Sequence, residues 1–152
     1  MIMKIFIGAD HAGFQMKEDL KKYLEDLGYG VEDMGPNAFN PDDDYPDFVI
    51  PVAKNVADNP QEFCGIVMGG SGQGEAMCAN KIRGARAAVV YDEYSARMSR
   101  QDNDANVMAL GARVLDTETA KRLVKIWLET SFSNEERHVR RIEKINKLES
   151  VE

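Results

Sequence analysis

Short apolar runs alternate with amphipathic stretches along the chain, a pattern typical of strands separated by helices. Continuous apolar runs such as Ile66-Val67-Met68 favour a parallel sheet that is covered on both faces. The pattern predicts an α/β fold with a doubly wound, five-stranded parallel sheet, a Rossmann-like three-layer sandwich, in a single domain over residues 1–152. The predicted strands are 5–7, 29–34, 64–68, 86–91 and 107–110.

Apolar residues at helical spacing predict the helices between these strands. The predicted helices are 14–27, 47–57, the stretch from the glycine loop to about 81, 93–100, and one capped by Asp116. An extra C-terminal helix is expected to open at Ser133, with Glu136 completing a capping box. One face of that helix carries an apolar stripe of Val139, Ile142, Ile145 and Leu148.

Charge and composition narrow the classes of protein that fit this fold. The chain has 19 Lys or Arg and 26 Asp or Glu, a formal net charge of −7, which argues against a general nucleic-acid binder. It has no apolar run of about 18 residues, and its first residues lack a signal-peptide pattern. We therefore expect no membrane association and a cytoplasmic location.

The cysteines and histidines are too few and too scattered for a metal site. Cys64 and Cys78 form no CxxC pair, and His11 and His138 are the only histidines in the chain. We expect no bound metal and two buried free thiols in a reducing compartment.

A glycine-rich loop follows the third predicted strand. Gly69, Gly70, Gly72 and Gly74 leave backbone N–H groups bare at the start of a helix, which suits a phosphate or a developing oxyanion. No Gly-Lys pair occurs, so the loop is not a P-loop. The GxGxG spacing, with Asp92 after the next strand, keeps a nucleotide-binding domain as an alternative.

Glu75 points to a different chemistry for the same loop. A carboxylate beside preorganised N–H donors is what proton abstraction next to a carbonyl requires, because the enolate-like charge must be held as it forms. Asp10-His11, at the end of the first strand, can bind sugar hydroxyls or move a proton between oxygens. Arg137 and Arg141 share one helical face and are either a solvated surface or a phosphate clamp.

Several ordered motifs together resemble one family, the type B ribose-5-phosphate isomerases, whose wider group includes galactose-6-phosphate isomerase subunits. The resemblance spans about residues 4–148. Its motifs are Gly8-Ala9-Asp10-His11-Ala12-Gly13, Asp44-Tyr45-Pro46, residues 69–75 with Ala79-Asn80-Lys81, Ser99-Arg100-Gln101 with Asn103, and Arg137-His138 with Arg140-Arg141.

The resemblance implies isomerisation of ribose 5-phosphate to ribulose 5-phosphate through an enediolate, without a cofactor. It implies Glu75 as the proton-transfer base, with catalytic roles for Ser71 and the residue at position 102. It also implies a homodimer or homotetramer whose active site is shared between subunits and whose C-terminal helix takes part in dimerisation. The implied substrate-binding residues are Asp10, His11, Tyr45, Gly70, Gly72, Gln73, Gly74, Asn103, Arg113, Arg137, His138 and Arg141.

Position 102 departs from the family pattern. The family usually has a histidine there, assigned to opening the sugar ring, whereas this chain has Asp102. An aspartate is ordinarily ionised at pH 7 and protonates a ring oxygen poorly. The departure leaves three alternatives open: slower ring opening, ring opening by another group such as His11, or a different substrate. It also admits a non-catalytic sugar-phosphate binding protein.

Overall fold

A computed structural model describes residues 3–150 of the chain. Five strands and six helices alternate along it, and a single 3-10 turn, His11–Gly13, links the first strand to the first helix. The strands are β1 (Lys4–Ala9), β2 (Gly30–Asp33), β3 (Phe63–Gly69), β4 (Ala87–Val89) and β5 (Val107–Gly111). The helices are α1 (Phe14–Asp26), α2 (Pro46–Asp58), α3 (Gln73–Ala79), α4 (Glu93–Gln101), α5 (Thr117–Glu129) and α6 (Glu136–Leu148).

The strands form one parallel sheet in the order β2-β1-β3-β5-β4. Ala9 of β1 pairs with Met68 of β3, and Gly69 pairs with Gly111 of β5. The carboxyl ends of all five strands therefore share one side of the sheet, the carboxyl edge, and their amino ends share the amino edge. The strand order reverses between β1 and β3, where ligands of such sheets bind beyond the carboxyl ends.

Apolar clusters on the two faces of the sheet make the three layers. One cluster joins the sheet to α1, α4 and α5 and includes Leu20, Ala96 and Trp127. The other joins the sheet to α2 and α3 and includes Val52 and Ala76. This arrangement confirms the predicted doubly wound α/β sandwich. None of the helices in residues 3–150 is long and apolar enough to cross a membrane.

The predicted start of the last helix is wrong. Helix α6 begins at Glu136, and its N-cap residue, Glu135, makes no capping hydrogen bond through its side chain. The Ser133 hydroxyl instead accepts a hydrogen bond from the Glu135 N–H at 3.3 Å, which makes a local turn before the helix. The apolar stripe is only partly covered, because Ile142 is buried while Leu148 is 73% exposed.

Other predicted elements exist but differ in extent. β4 is limited to Ala87–Val89 rather than 86–91, and α3 ends at Ala79 rather than near 81.

Only Cys64 of the two free cysteines is fully buried, and burial raises the pKa of its thiol to about 12. Cys78 is half-buried, so the prediction of two buried thiols is half wrong.

Candidate active site

Glu75 lies in the first turn of α3, directly after the glycine loop at the carboxyl edge. It is only 3% exposed. Backbone N–H groups of Gly72 and of Glu75 itself donate to its carboxylate and lower its pKa. Burial and the negative charge of Asp10 act in the opposite direction and prevail, so the pKa of Glu75 is raised above that of an ordinary glutamate. A raised pKa makes the ionised carboxylate a stronger base.

The Glu75 carboxylate occupies the space beside Gly69 at the end of β3. A Cβ atom on residue 69 would overlap Oε1 and the carboxyl carbon of Glu75. Residue 69 must therefore be glycine for Glu75 to reach this position. A side chain on residue 69 and the carboxylate of Glu75 exclude each other at this point of the sheet.

Backbone N–H groups of the glycine loop surround the same space. Within residues 3–150, the N–H groups of Gly70, Ser71 and Gly74 donate to no other protein atom. Gly72 has a left-handed conformation, with φ of 83°, which ends the loop and starts α3. The loop thus presents open donors that suit a negatively charged oxygen.

Two side chains from other elements close around the loop. Arg113, just after β5, lies over Gly70, where an added Cβ would be 3.0 Å from its Nη1. Arg113 makes no ion pair within the described part of the chain, so its charge is available to an anion. The Tyr45 ring packs against Gly74, where an added Cβ would be 2.7 Å from Cζ. The hydroxyl of Ser71 accepts from the N–H of Gln73 at 3.3 Å, and both residues are exposed.

Asp10 and His11 stand beside the loop, at the end of β1. Asp10 is buried, and its Oδ1 accepts from the N–H groups of Ala12 and Gly13 at 2.9 and 3.3 Å. Asp43 accepts from both the backbone N–H and Nδ1 of His11 at 2.9 Å each. Sequence reasoning missed Asp43, because Asp42, Asp43 and Asp44 are equivalent in the sequence.

The remaining residues predicted for the site lie at the amino edge. Helix α4 runs back from the carboxyl edge, so Asp102, its C-cap residue, is at the opposite side of the sheet from Glu75. Helix α6 packs there too, with the buried His138 Nε2 3.4 Å from the Asp102 carboxylate. Asn103, Arg137 and Arg141 belong to this second group, and both arginines are exposed.

Comparison with known proteins assigns this arrangement to a family. The chain matches the Ribose/Galactose Isomerase family over residues 5–145. The chain belongs to this family. Family membership makes the protein an isomerase, and it confirms the resemblance inferred from the sequence motifs.

Relatives of this isomerase cover nearly its whole length. Ribose-5-phosphate isomerase B of Mycolicibacterium paratuberculosis is 38% identical over 93% of this chain and 88% of that protein. A probable ribose-5-phosphate isomerase B of Mycoplasma genitalium is 41% identical over 98% of this chain and 97% of that protein.

Solved structures agree with the fold of the isomerase. Ribose-5-phosphate isomerase B from Mycoplasma genitalium with bound ribulose 5-phosphate superimposes with a TM-score of 0.96 at 38% identity, covering 100% of this chain and 99% of that chain. The Clostridium thermocellum enzyme superimposes with a TM-score of 0.92 at 43% identity, covering 97% and 98%.

In this isomerase, Asp92 does not support the alternative of a nucleotide-binding domain. Asp92 is the N-cap of α4, where its side chain accepts from the Ser95 N–H at 2.7 Å in a capping box. That carboxylate is engaged in starting the helix.

Within residues 3–150, no group of three or more His, Cys, Asp or Glu side chains is placed to hold a metal ion.

Proposed function

We propose that this protein interconverts ribose 5-phosphate and ribulose 5-phosphate, with Glu75 as the base that moves the proton between C2 and C1. The observation that carries the proposal is the buried Glu75 carboxylate beside the open N–H groups of the glycine loop. The printed names of the relatives support the choice of substrate, because they are ribose-5-phosphate isomerases B.

The glycine loop stabilises the enediolate in this mechanism. When Glu75 takes the C2 proton, negative charge moves to the oxygen on C1. The N–H groups of Gly70, Ser71 and Gly74 donate to that oxygen, with Gly72 and Gln73 setting the path of the loop. Each preorganised donor contributes about 3 kcal/mol to such a step. Protons alone are transferred, so the mechanism needs no cofactor.

Asp10, His11 and Tyr45 bind the sugar hydroxyls in this proposal. Asp10 keeps one carboxylate oxygen outside its capping hydrogen bonds. His11 keeps Nε2 free, because Nδ1 is bonded to Asp43. Tyr45 lies against the start of α3.

Two subunits share each active site in this proposal. β3 has seven residues and separates the two edges by about 20 Å, which is far longer than a pentose phosphate. Arg113 at the carboxyl edge therefore cannot share a phosphate with Arg137, His138 and Arg141 of its own chain. A second copy supplies the amino-edge residues, including Asp102 and Asn103, and α6 takes part in a homodimer or homotetramer.

The cytoplasm is the proposed location of this reaction. A sugar phosphate is charged and does not cross a lipid bilayer unaided. Cys64 and Cys78 are both free thiols, as expected in a reducing compartment.

A substrate comparison tests the proposed function. Purified protein should convert ribose 5-phosphate to ribulose 5-phosphate faster than it isomerises a six-carbon aldose 6-phosphate. Adenine nucleotides should leave its melting temperature unchanged, while ribose 5-phosphate should raise it. Binding of ribose 5-phosphate with no turnover would instead indicate a sugar-phosphate binding protein.

A further inference from the structure

Asp43 has a buried carboxylate that the proposed mechanism does not use. Its side chain is only 6% exposed, and its Oδ1 accepts from the backbone N–H and from Nδ1 of His11. The other oxygen, Oδ2, is buried and has no hydrogen-bond partner within residues 3–150. Within the described residues, both hydrogen bonds that this carboxylate accepts therefore come from one residue, His11.

The contact with Asp43 fixes which ring nitrogen of His11 carries the hydrogen. An ionised carboxylate accepts hydrogen bonds and cannot donate them, so Nδ1 must carry the hydrogen. In the uncharged ring, Nε2 is then the basic nitrogen. Nε2 has no hydrogen-bond partner in the described part of the chain, and the side chain is 31% exposed.

His11 is held close to the glycine loop and Glu75. β1 and β3 are neighbours, and the turn that carries His11 packs on β3, where a Cβ on Gly13 would be 2.6 Å from the Met68 carbonyl oxygen. The adjacent Asp10 is near enough for its charge to raise the pKa of Glu75. His11 is therefore anchored beside the end of β3, next to the loop that leads to Glu75.

Conversion of an aldose to a ketose moves two protons, one between carbons and one between oxygens. We propose that Asp43 is a positioning residue that holds His11 so that Nε2 carries the proton between the substrate oxygens. This inference rests on the proposed function, in which Glu75 transfers the proton between C2 and C1.

The step balances without a co-reactant. Glu75 removes the C2 proton, a double bond forms between C1 and C2, and the C1 carbonyl becomes an enediolate oxygen. Nε2 takes the proton of the C2 hydroxyl and gives it to the oxygen on C1. C2 becomes the carbonyl carbon, and Glu75 returns its proton to C1. Both side chains end in their initial protonation states.

Isotope partitioning in the ketose direction tests the inference. Ribulose 5-phosphate is incubated in deuterated water with wild type, Asp43→Ala and the matched control Asp42→Ala, whose residue is exposed. We measure deuterium at C1 of the remaining ketose and conversion to the aldose. Asp43→Ala should lower conversion about 100-fold. It should lower exchange much less, because Glu75 still forms the enediolate, while Asp42→Ala should change neither.

The outcomes separate this inference from the proposed function. An equal fall of exchange and conversion in Asp43→Ala means a merely structural role and overturns the inference. So does an Asp43→Ala protein that behaves like Asp42→Ala. A wild-type protein that shows neither exchange nor conversion overturns the proposed function itself.

Nitrogen NMR gives a second readout that does not depend on activity. The chain has two histidines, so the imidazole spectrum is simple to assign. At alkaline pH, His11 should carry its hydrogen on Nδ1 in the wild type and in Asp43→Asn, which keeps a side-chain acceptor. In Asp43→Ala the hydrogen should move mainly to Nε2. An unchanged tautomer in Asp43→Ala would contradict the assignment.

Discussion

At the scale of single residues, the proposed chemistry depends on how the carboxylate of Glu75 is held. Burial and the neighbouring Asp10 raise its pKa, while two backbone N–H groups keep the ionised form accessible. The role proposed for Glu75 follows from the sequence, because Glu75 comes directly after a glycine-rich loop at a strand end. Its contact with Gly69 could not, because that contact depends on the path of the loop in three dimensions.

The raised pKa of Glu75 predicts a pH profile. The base must be ionised, so kcat/KM should rise with pH at values above those expected for an ordinary glutamate. Asp10→Asn removes a neighbouring negative charge, which lowers the pKa of Glu75 and should move this rise to lower pH. The measurement is kcat/KM against pH for both proteins. A rise at the same pH in both would contradict the electrostatic role of Asp10.

Gly69→Ala should remove activity without unfolding the protein. The added methyl group takes the space of the Glu75 carboxylate, which must then move away from the loop. We expect kcat to fall at least about 100-fold, a loss typical of a displaced acid–base group. Gly30→Ala is the matched control, because nothing lies within 4 Å of its added Cβ. Equal activities of the two variants would contradict the close contact.

At the scale of helices and strands, periodicity predicted which elements exist but not where each one ends. The five strands were found because each is an apolar run followed by a turn. Ser133 and Glu136 fit a capping box in sequence, but the Ser133 hydroxyl accepts from the Glu135 N–H in a turn, and α6 starts only at Glu136. Periodicity also does not predict that the second group of site residues lies at the amino edge. That placement depends on the directions of α4 and α6.

The different roles of two polar residues at helix starts predict different stabilities. Asp92→Ala removes the capping box of α4 and should lower the free energy of unfolding by about 1 kcal/mol. Ser133→Ala should change it by less than about 0.5 kcal/mol, because Ser133 does not cap α6. Denaturant unfolding measures both. A larger loss of unfolding free energy in Ser133→Ala than in Asp92→Ala would indicate that Ser133 does cap α6.

At the scale of the whole molecule, the sheet separates the residues predicted for one site into two groups. Glu75 and Arg113 lie at the carboxyl edge, and Arg137 and Arg141 lie on α6 at the amino edge. Sequence motifs identified both groups but gave no distance between them. The separation is the physical basis for proposing that two subunits complete each site.

Mixing two inactive variants tests this shared site. Glu75→Gln and Arg141→Ala should each be nearly inactive alone. Unfolded and refolded together, they form mixed dimers in which one of the two sites combines an intact carboxyl edge with an intact amino edge. Random pairing should restore roughly a quarter of the wild-type activity. Activity that stays at the level of the separate variants would contradict a site built from two chains.

Proton exchange at carbon is the most direct measurement of what Glu75 does. Ribose 5-phosphate is incubated in deuterated water with wild type and with Glu75→Gln, and deuterium in the recovered sugars is measured by NMR. We predict deuterium at C1 of the ribulose 5-phosphate formed by the wild type, and at least a thousandfold slower incorporation, on the order of a full general-base effect, with the variant. Incorporation at the wild-type rate by Glu75→Gln would show that another group takes the proton.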